Sequence, residues 1–347
     1  MTAAGPFRVL TPDAQYADDA EVERRTAGDG FVFEIHRLRD SADLPRESLA
    51  ACDALLVWHE IDVDAALIAR MPRCRVIVRA GVGFDRIDIA AAGRAGIPVC
   101  NTPDYGTSEV ADHAIALMLA FRRGLCGYHD RLRADPVAGF DAAAMGPTRR
   151  LRGKRFAVIG LGRIGSAAAL RAKAFGMRVV AFDPYLPRGQ EIALGVERAE
   201  SLAEALAGAE VVSVHTPLNP ETRGLIGAKA FAAMDPTAVL VNTARGAVVD
   251  LDALDTALRE NRIAAAGLDV LPDEPPDPDH PLIRAYHARE PWLAERLILT
   301  PHAAWISPES REDVRRLSTE AVVAFLRHDS LRACVNDAWL TGTRAAS

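Results

Sequence analysis

Lysine is scarce. Lys154, Lys173 and Lys229 are the only three in 347 residues, and none sits in a motif suited to Schiff-base chemistry. Arginine carries most of the positive charge, and 41 Lys plus Arg against 47 Asp plus Glu leave a net charge of −6. That balance provides no cationic excess to hold a phosphate backbone, so nucleic acid is not expected as the main partner. Cysteine is sparse too: Cys52, Cys74, Cys100, Cys126 and Cys334 are odd in number, far apart and never in a CxxC pair. Such usage argues against a disulfide framework or a metal site, and for reduced, buried thiols in a cytoplasmic protein. No run of about 18 uncharged apolar residues is present, so no membrane span is expected. The first residues lead straight into Phe7–Leu10 with neither a basic nor an apolar leader segment, so no signal peptide is expected.

What is present reads as a globular chain. The chain is 49% hydrophobic and 25% charged, and its length suggests roughly two domains at about 150 residues each. Short apolar runs at Phe7–Leu10, Val32–Ile35, Ala54–Trp58, Arg75–Val78 and Pro98–Cys100 predict strands, with helical patterns at Val63–Ala69 and Ile87–Ala95 between them. Ser108–Arg123 is apolar on nearly every side and predicts a helix buried all round, in a domain core or at an interface. A second alternation follows. Strands are predicted at Arg155–Ile159, Val179–Phe182, Val211–Val214, Ala238–Asn242, Ala264–Leu268 and Leu297–Leu299. Helices are predicted at Ile164–Phe175, Ser201–Ala207, Lys229–Ala233, Leu251–Glu260 and Pro308–Arg327. This pattern calls for parallel sheets covered by helices. Residues 272–280 read as a surface loop, and residues 281–296, with Tyr286 and Trp292, as an insertion that shapes the active site or an interface.

The segment from Phe156 to Gly165, FAVIGLGRIG, is a strand running into GxGxxG and a helix. Gly160 permits the tight turn, Gly162 lets the backbone approach a pyrophosphate, and Gly165 lets helix and strand pack closely. Arg163 and Ile164 open the helix, whose N-terminus favours phosphate. Asp183 ends the next strand, 23 residues after Gly160, where an acidic side chain accepts from a ribose 2′-OH and repels a 2′-phosphate. NAD is therefore favoured over NADP, with the nearby Arg188 opposing that preference. Further on, Arg245, Glu274 and His302 each follow a later predicted strand, and ligands in open α/β sheets bind beyond the strands' carboxyl ends. The three types fit together. Histidine is a proton donor at neutral pH, a carboxylate orients it and favours its charged form, and an arginine fork binds a carboxylate or polarises a keto oxygen.

Taken in order, GLGRIG, Asp183, His215-Thr216-Pro217-Leu218, Asn242-Thr243-Ala244-Arg245-Gly246, the Gly267-Leu268-Asp269-Val270 segment with Glu274, and Thr300-Pro301-His302-Ala303-Ala304-Trp305 resemble the D-isomer-specific 2-hydroxyacid dehydrogenases. Arg79-Ala80-Gly81-Val82-Gly83 and Asn101-Thr102-Pro103 match as well. The resemblance implies an α/β chain of two Rossmann-like or flavodoxin-like domains with parallel sheets, separated by an active-site cleft. A substrate domain would comprise 1–105 plus 306–347, and a Rossmann domain 106–305. It implies His302 as general acid/base in hydride exchange between NAD and a small 2-keto or 2-hydroxy acid, with Glu274 as its partner and Arg245 as substrate binder. The N–H groups of Val82 and Gly83 would hold the substrate carboxylate, and His215, Thr216, Thr243, Ala244 and Asp269 would contact the cofactor. His113 is expected to be structural or cofactor-flanking. TPHAAW and Arg79 look most like the C-terminal-binding-protein branch. That branch implies Arg79 and Trp305 as further substrate contacts, and an alternative role as an NAD-sensing corepressor-like scaffold. A homodimer is expected.

Overall fold

The computed structural model describes residues 5–143, 146 and 148–340. Those within Met1–Gly106 and Ser307–Ser347 form one compact unit, and those within Thr107–Ile306 a second.

The first unit holds strands β1 (Phe7–Thr11), β2 (Phe31–Ile35), β3 (Ala54–Val57), β4 (Val76–Arg79) and β5 (Val99–Cys100). They pair in parallel, in the order β2-β1-β3-β4-β5. Every residue of β3 and β4 is buried, as a parallel sheet covered on both faces requires. Asp64 and Asp88 each accept from a backbone N–H at 2.8 Å and so start the helices that follow them. The helix Pro308–His328 opens on a capping box at Ser307 and packs back onto this unit. There Arg315 grips the buried Glu23 carboxylate at 2.8 and 2.6 Å, the pairing a buried charge needs. Cys52, Cys74 and Cys100 are buried, whereas Cys334 is half-buried and Cys126 exposed. The expectation of five buried thiols is corrected there, because Cys126 lies on the outer side of the helix Leu125–Ala134.

The second unit carries β6 (Arg155–Ile159), β7 (Arg178–Phe182), β8 (Glu197–Arg198), β9 (Ala209–Val214), β10 (Val239–Asn242), β11 (Ala265–Leu268) and β12 (Leu297–Leu299). All are parallel, in the order β12-β11-β10-β9-β6-β7-β8. The order reverses between β6 and β9, which makes a topological switch point beside the glycine-rich turn. The helix Thr107–Arg122 is not buried all round, since Asp112 and Ala116 are exposed. Its other side packs Leu117 and Phe121 over β11 so closely that a Cβ on Gly267 would stand 3.1 Å from each. Residues 281–296 anchor four side chains in the core of this unit and leave most of the others exposed. Leu282, Ile283, Ala285 and Leu293 are buried, and Trp292 lies 4.2 Å beneath the Arg259 guanidinium. Among the described residues, no helix is long and apolar enough to cross a membrane.

Candidate active site

The carboxyl ends of the second sheet place the sequence-predicted groups in one row. Gly160 follows β6, Asp183 follows β7, His215 follows β9, Thr243 follows β10, Asp269 follows β11 and Thr300 follows β12. The ladder continues into these residues: Gly160 N–H donates to Phe182 O at 2.9 Å, His215 N–H to Ile159 O at 2.8 Å, and Asp269 N–H to Asn242 O at 2.9 Å.

At the switch point the glycines are required by space. Gly160 has φ +93°, and a Cβ there would stand 2.9 Å from the His215 backbone; a Cβ on Gly165 would meet Gly160 O at 2.0 Å. Around Gly162, by contrast, such an atom would find open space. Gly162 caps the helix Arg163–Ala174 without a side-chain hydrogen bond, so the first N–H groups, with Arg163 and Ile164, face outward for an anion. Asp183 is held against the same turn, its carboxylate accepting from Leu161 N–H at 2.9 Å and Tyr185 N–H at 3.0 Å. Arg188 is exposed and pairs with Glu200 at 3.4 Å.

The Arg–Glu–His set follows β10, β11 and β12. His302 Nδ1 and Glu274 Oε2 are 2.7 Å apart. Burial pushes the Glu274 carboxyl up, but the hydrogen bond and charge of His302, the Leu271 N–H and the charge of Arg245 outweigh it, and Glu274 lies below the usual range. His302 has φ +52°, a left-handed conformation uncommon for a residue with a side chain. Its turn is built on Asp269, which is buried. The carboxylate accepts from Thr300 Oγ1 at 2.6 Å and from the N–H groups of Ala303 and Ala304 at 2.9 Å, while His302 N–H donates to Asp269 O at 2.7 Å. Arg245 stands on a turn braced by the buried Asn242, whose side chain accepts from Ala244 N–H and donates to Arg245 O, both at 3.0 Å. The Arg245 guanidinium donates to Ala244 O at 2.8 Å. Trp305 is half-buried on the same stretch as His302.

In the N-terminal unit Arg79 ends β4 and is buried, its guanidinium donating to Ala80 O beneath the Gly81 turn. A Cβ on Gly81 would overlap that guanidinium. Thr102 N–H donates to Gly81 O at 2.9 Å and Asn101 Nδ2 to Val82 O at 2.7 Å, which leaves Val82 and Gly83 at the accessible rim of the turn.

Residues 115–304 match the family model described as D-isomer specific 2-hydroxyacid dehydrogenase, NAD binding domain. A glyoxylate reductase from Korarchaeum cryptofilum is 37% identical over 301 residues, 85% of this chain and 87% of that one. This chain belongs to the D-isomer specific 2-hydroxyacid dehydrogenase family. Two solved structures agree. An NADPH-dependent glyoxylate/hydroxypyruvate reductase from Sinorhizobium meliloti, in complex with NADP and malonate, superposes with a TM-score of 0.82 at 28% identity, covering 99% of this chain and all of that one. A D-lactate dehydrogenase from Aquifex aeolicus, complexed with NAD and lactic acid, gives 0.78 at 29%, covering 93% and 96%. The dehydrogenase is thus an oxidoreductase of 2-hydroxy acids with a nicotinamide cofactor.

The residues present fit such a group. His215 Nδ1 and Thr216 Oγ1, beside the glycine turn, and Thr243 Oγ1, at the end of β10, are buried polar atoms with no protein partner, and buried polar atoms need one. Burial lowers the His215 imidazole to about 4, so it meets a ligand uncharged at neutral pH. Three residues outside the sequence-predicted site also serve it. Asn242 and Thr300 brace the turns, and Gly246 admits the backbone of Leu271, which a Cβ would approach to 1.8 Å. The Gly after Arg245 and the Asn and Thr of the same motifs were the available signals.

Proposed function

We propose that the chain interconverts a 2-keto acid and the D-2-hydroxy acid with NADH and NAD, with His302 as general acid/base. The observation that carries this reading is the 2.7 Å contact between His302 Nδ1 and Glu274 Oε2. With Nδ1 so engaged, the opposite ring nitrogen, Nε2, is the one that exchanges a proton with the substrate oxygen. Glu274 stabilises the imidazolium before transfer, and Arg245 takes the acid end or the keto oxygen through its fork. When bound, the nicotinamide supplies or accepts the hydride. Gly160, Gly162, Arg163, Ile164 and Gly165 would hold its pyrophosphate, and His215, Thr216, Thr243, Ala244 and Asp269 its nicotinamide side. Asp183, fixed against the turn, would take the ribose hydroxyls and repel a 2′-phosphate. The exposed Arg188 is offset by Glu200, so the preference is for NAD. In the N-terminal unit the Val82 and Gly83 N–H groups, with Arg79, make an anion nest suited to the substrate carboxylate, and Trp305 would give an apolar wall.

A panel of small 2-keto acids followed by NADH absorbance, with chiral analysis of the product, tests this. Turnover to the D-product is expected for at least one acid. An L-product, or no turnover by protein that binds NADH, would overturn it.

A further inference from the structure

His113 lies on the helix Thr107–Arg122, the same helix that packs over β11, and it has no part in the mechanism above. Its Nε2 is 3.0 Å from Thr300 Oγ1 and 3.7 Å from Asp269 Oδ1. The Thr300 hydroxyl has one proton and gives it to Asp269 Oδ1 at 2.6 Å. It can therefore only accept from His113, so the Nε2 of His113 carries the hydrogen. The chain of donors runs from His113 through Thr300 to Asp269, whose carboxylate also collects the N–H groups of Ala303 and Ala304, the two residues that follow His302. His302 itself is tied to Asp269 O and held at φ +52°. A conformation of that kind persists only when its surroundings fix it.

We propose that His113 is a positioning residue for the acid/base: its Nε2–H holds the Thr300 hydroxyl onto Asp269 and so fixes the turn that presents His302. The inference rests on the reading of His302 as the proton donor. The loss belongs chiefly in kcat, with a smaller loss of NADH affinity because Asp269 is also placed on the nicotinamide side, and misplacing a catalytic group by about 1 Å costs on the order of 100-fold.

The experiment compares His113→Phe, His113→Gln, Thr300→Val and the double variant His113→Phe/Thr300→Val in the full chain. Expected is a kcat about 10-fold or more lower in His113→Phe, with substrate KM within about 2-fold and NADH affinity falling by a clearly smaller factor than kcat. His113→Gln, whose side-chain N–H can donate from a similar place, restores most of the loss. Thr300→Val repeats the defect, and the double variant is no worse than the poorer single, because both act through one chain. Wild-type kcat in His113→Phe, no rescue by Gln, or losses that multiply in the double variant would each overturn the inference. If His113→Phe does not fold, the comparison of His113→Gln and Thr300→Val with wild type decides: an unaltered kcat in Thr300→Val, or a kcat in His113→Gln as low as that of Thr300→Val, overturns it. Failure of the underlying reading is a separate result: His302→Ala would then keep its kcat whatever the His113 variants do.

Discussion

Glu274 is a carboxyl tuned by opposing forces, and the balance has a consequence in pH. Burial alone would favour its neutral form, but His302, the Leu271 N–H and Arg245 together hold it below the usual glutamate range. A lowered folded-state pKa means the Glu274 carboxylate is charged above the ordinary value, about 4.3, and loses its charge only as the pH falls through the lowered one. Reduction of the keto acid should therefore show no Glu274-dependent loss between pH 7 and 5. Glu274→Gln should lower kcat by on the order of 10²-fold, since a neutral amide no longer stabilises the imidazolium. A wild-type acid limb above pH 5 that vanishes in Glu274→Gln would contradict this account. At this scale Arg245, Glu274 and His302 were legible because each residue type announces its chemistry. Asn242, Thr300 and His113 were not. Their importance lies in which backbone or hydroxyl group they meet, and that partner is 187 residues away for His113.

A side-chain cap helped but did not decide which helices were legible: Arg163–Ala174 and Ala228–Ala233 begin after Gly162 and Gly227 without one and were predicted to within one residue, whereas Pro281–His287, capped by His280, was not predicted. The helices begun by Asp64, Asp88, Ser201, Asp250 and Ser307 all have a side-chain N-cap, and all five were predicted to within two residues at their starts. The helices Glu21–Ala27, Arg46–Ala51, Leu125–Ala134 and Gln190–Leu194 begin after Ala20, Pro45, Gly124 and Gly189, with no side-chain cap to announce them. Residues 281–296 gave no helix signal, and which of their apolar side chains are buried (Leu282, Ile283, Ala285 and Leu293) was not legible in the sequence. The turn between β10 and the helix Leu251–Arg259 yields a prediction of its own. A Cβ on Gly246 would stand 1.8 Å from the Leu271 carbonyl carbon, so backbone must move and Arg245 must move with it. Gly246→Ala should cost about 1–3 kcal/mol of stability from overpacking, read as a Tm lower by several degrees. It should lower kcat/KM by on the order of 10-fold or more. Unchanged Tm and kcat/KM in that variant would show that the turn is not as tightly fitted as its geometry implies.

Across the whole molecule, the alternation of apolar runs and helical stretches predicted parallel sheets, and two such sheets are present. Strand order was not legible, because the apolar runs of β6 and β9 carry no mark of being neighbours; the reversal that creates the switch point is a property of packing. The nucleotide-binding turn was legible for the opposite reason, since three glycines at fixed spacing are a backbone requirement written directly in the sequence. What joins the scales is that each strand of the second sheet except its short edge strand, β8, delivers a candidate functional or bracing residue at its carboxyl end, and the proposed chemical centre of that row is the imidazole of His302. The most direct measurement is therefore the steady-state kinetics of His302→Ala, beside its NADH affinity, with the best 2-keto acid. A fall in kcat of on the order of 10²–10⁴ with NADH affinity little altered is predicted. A kcat equal to that of the wild type would contradict the account.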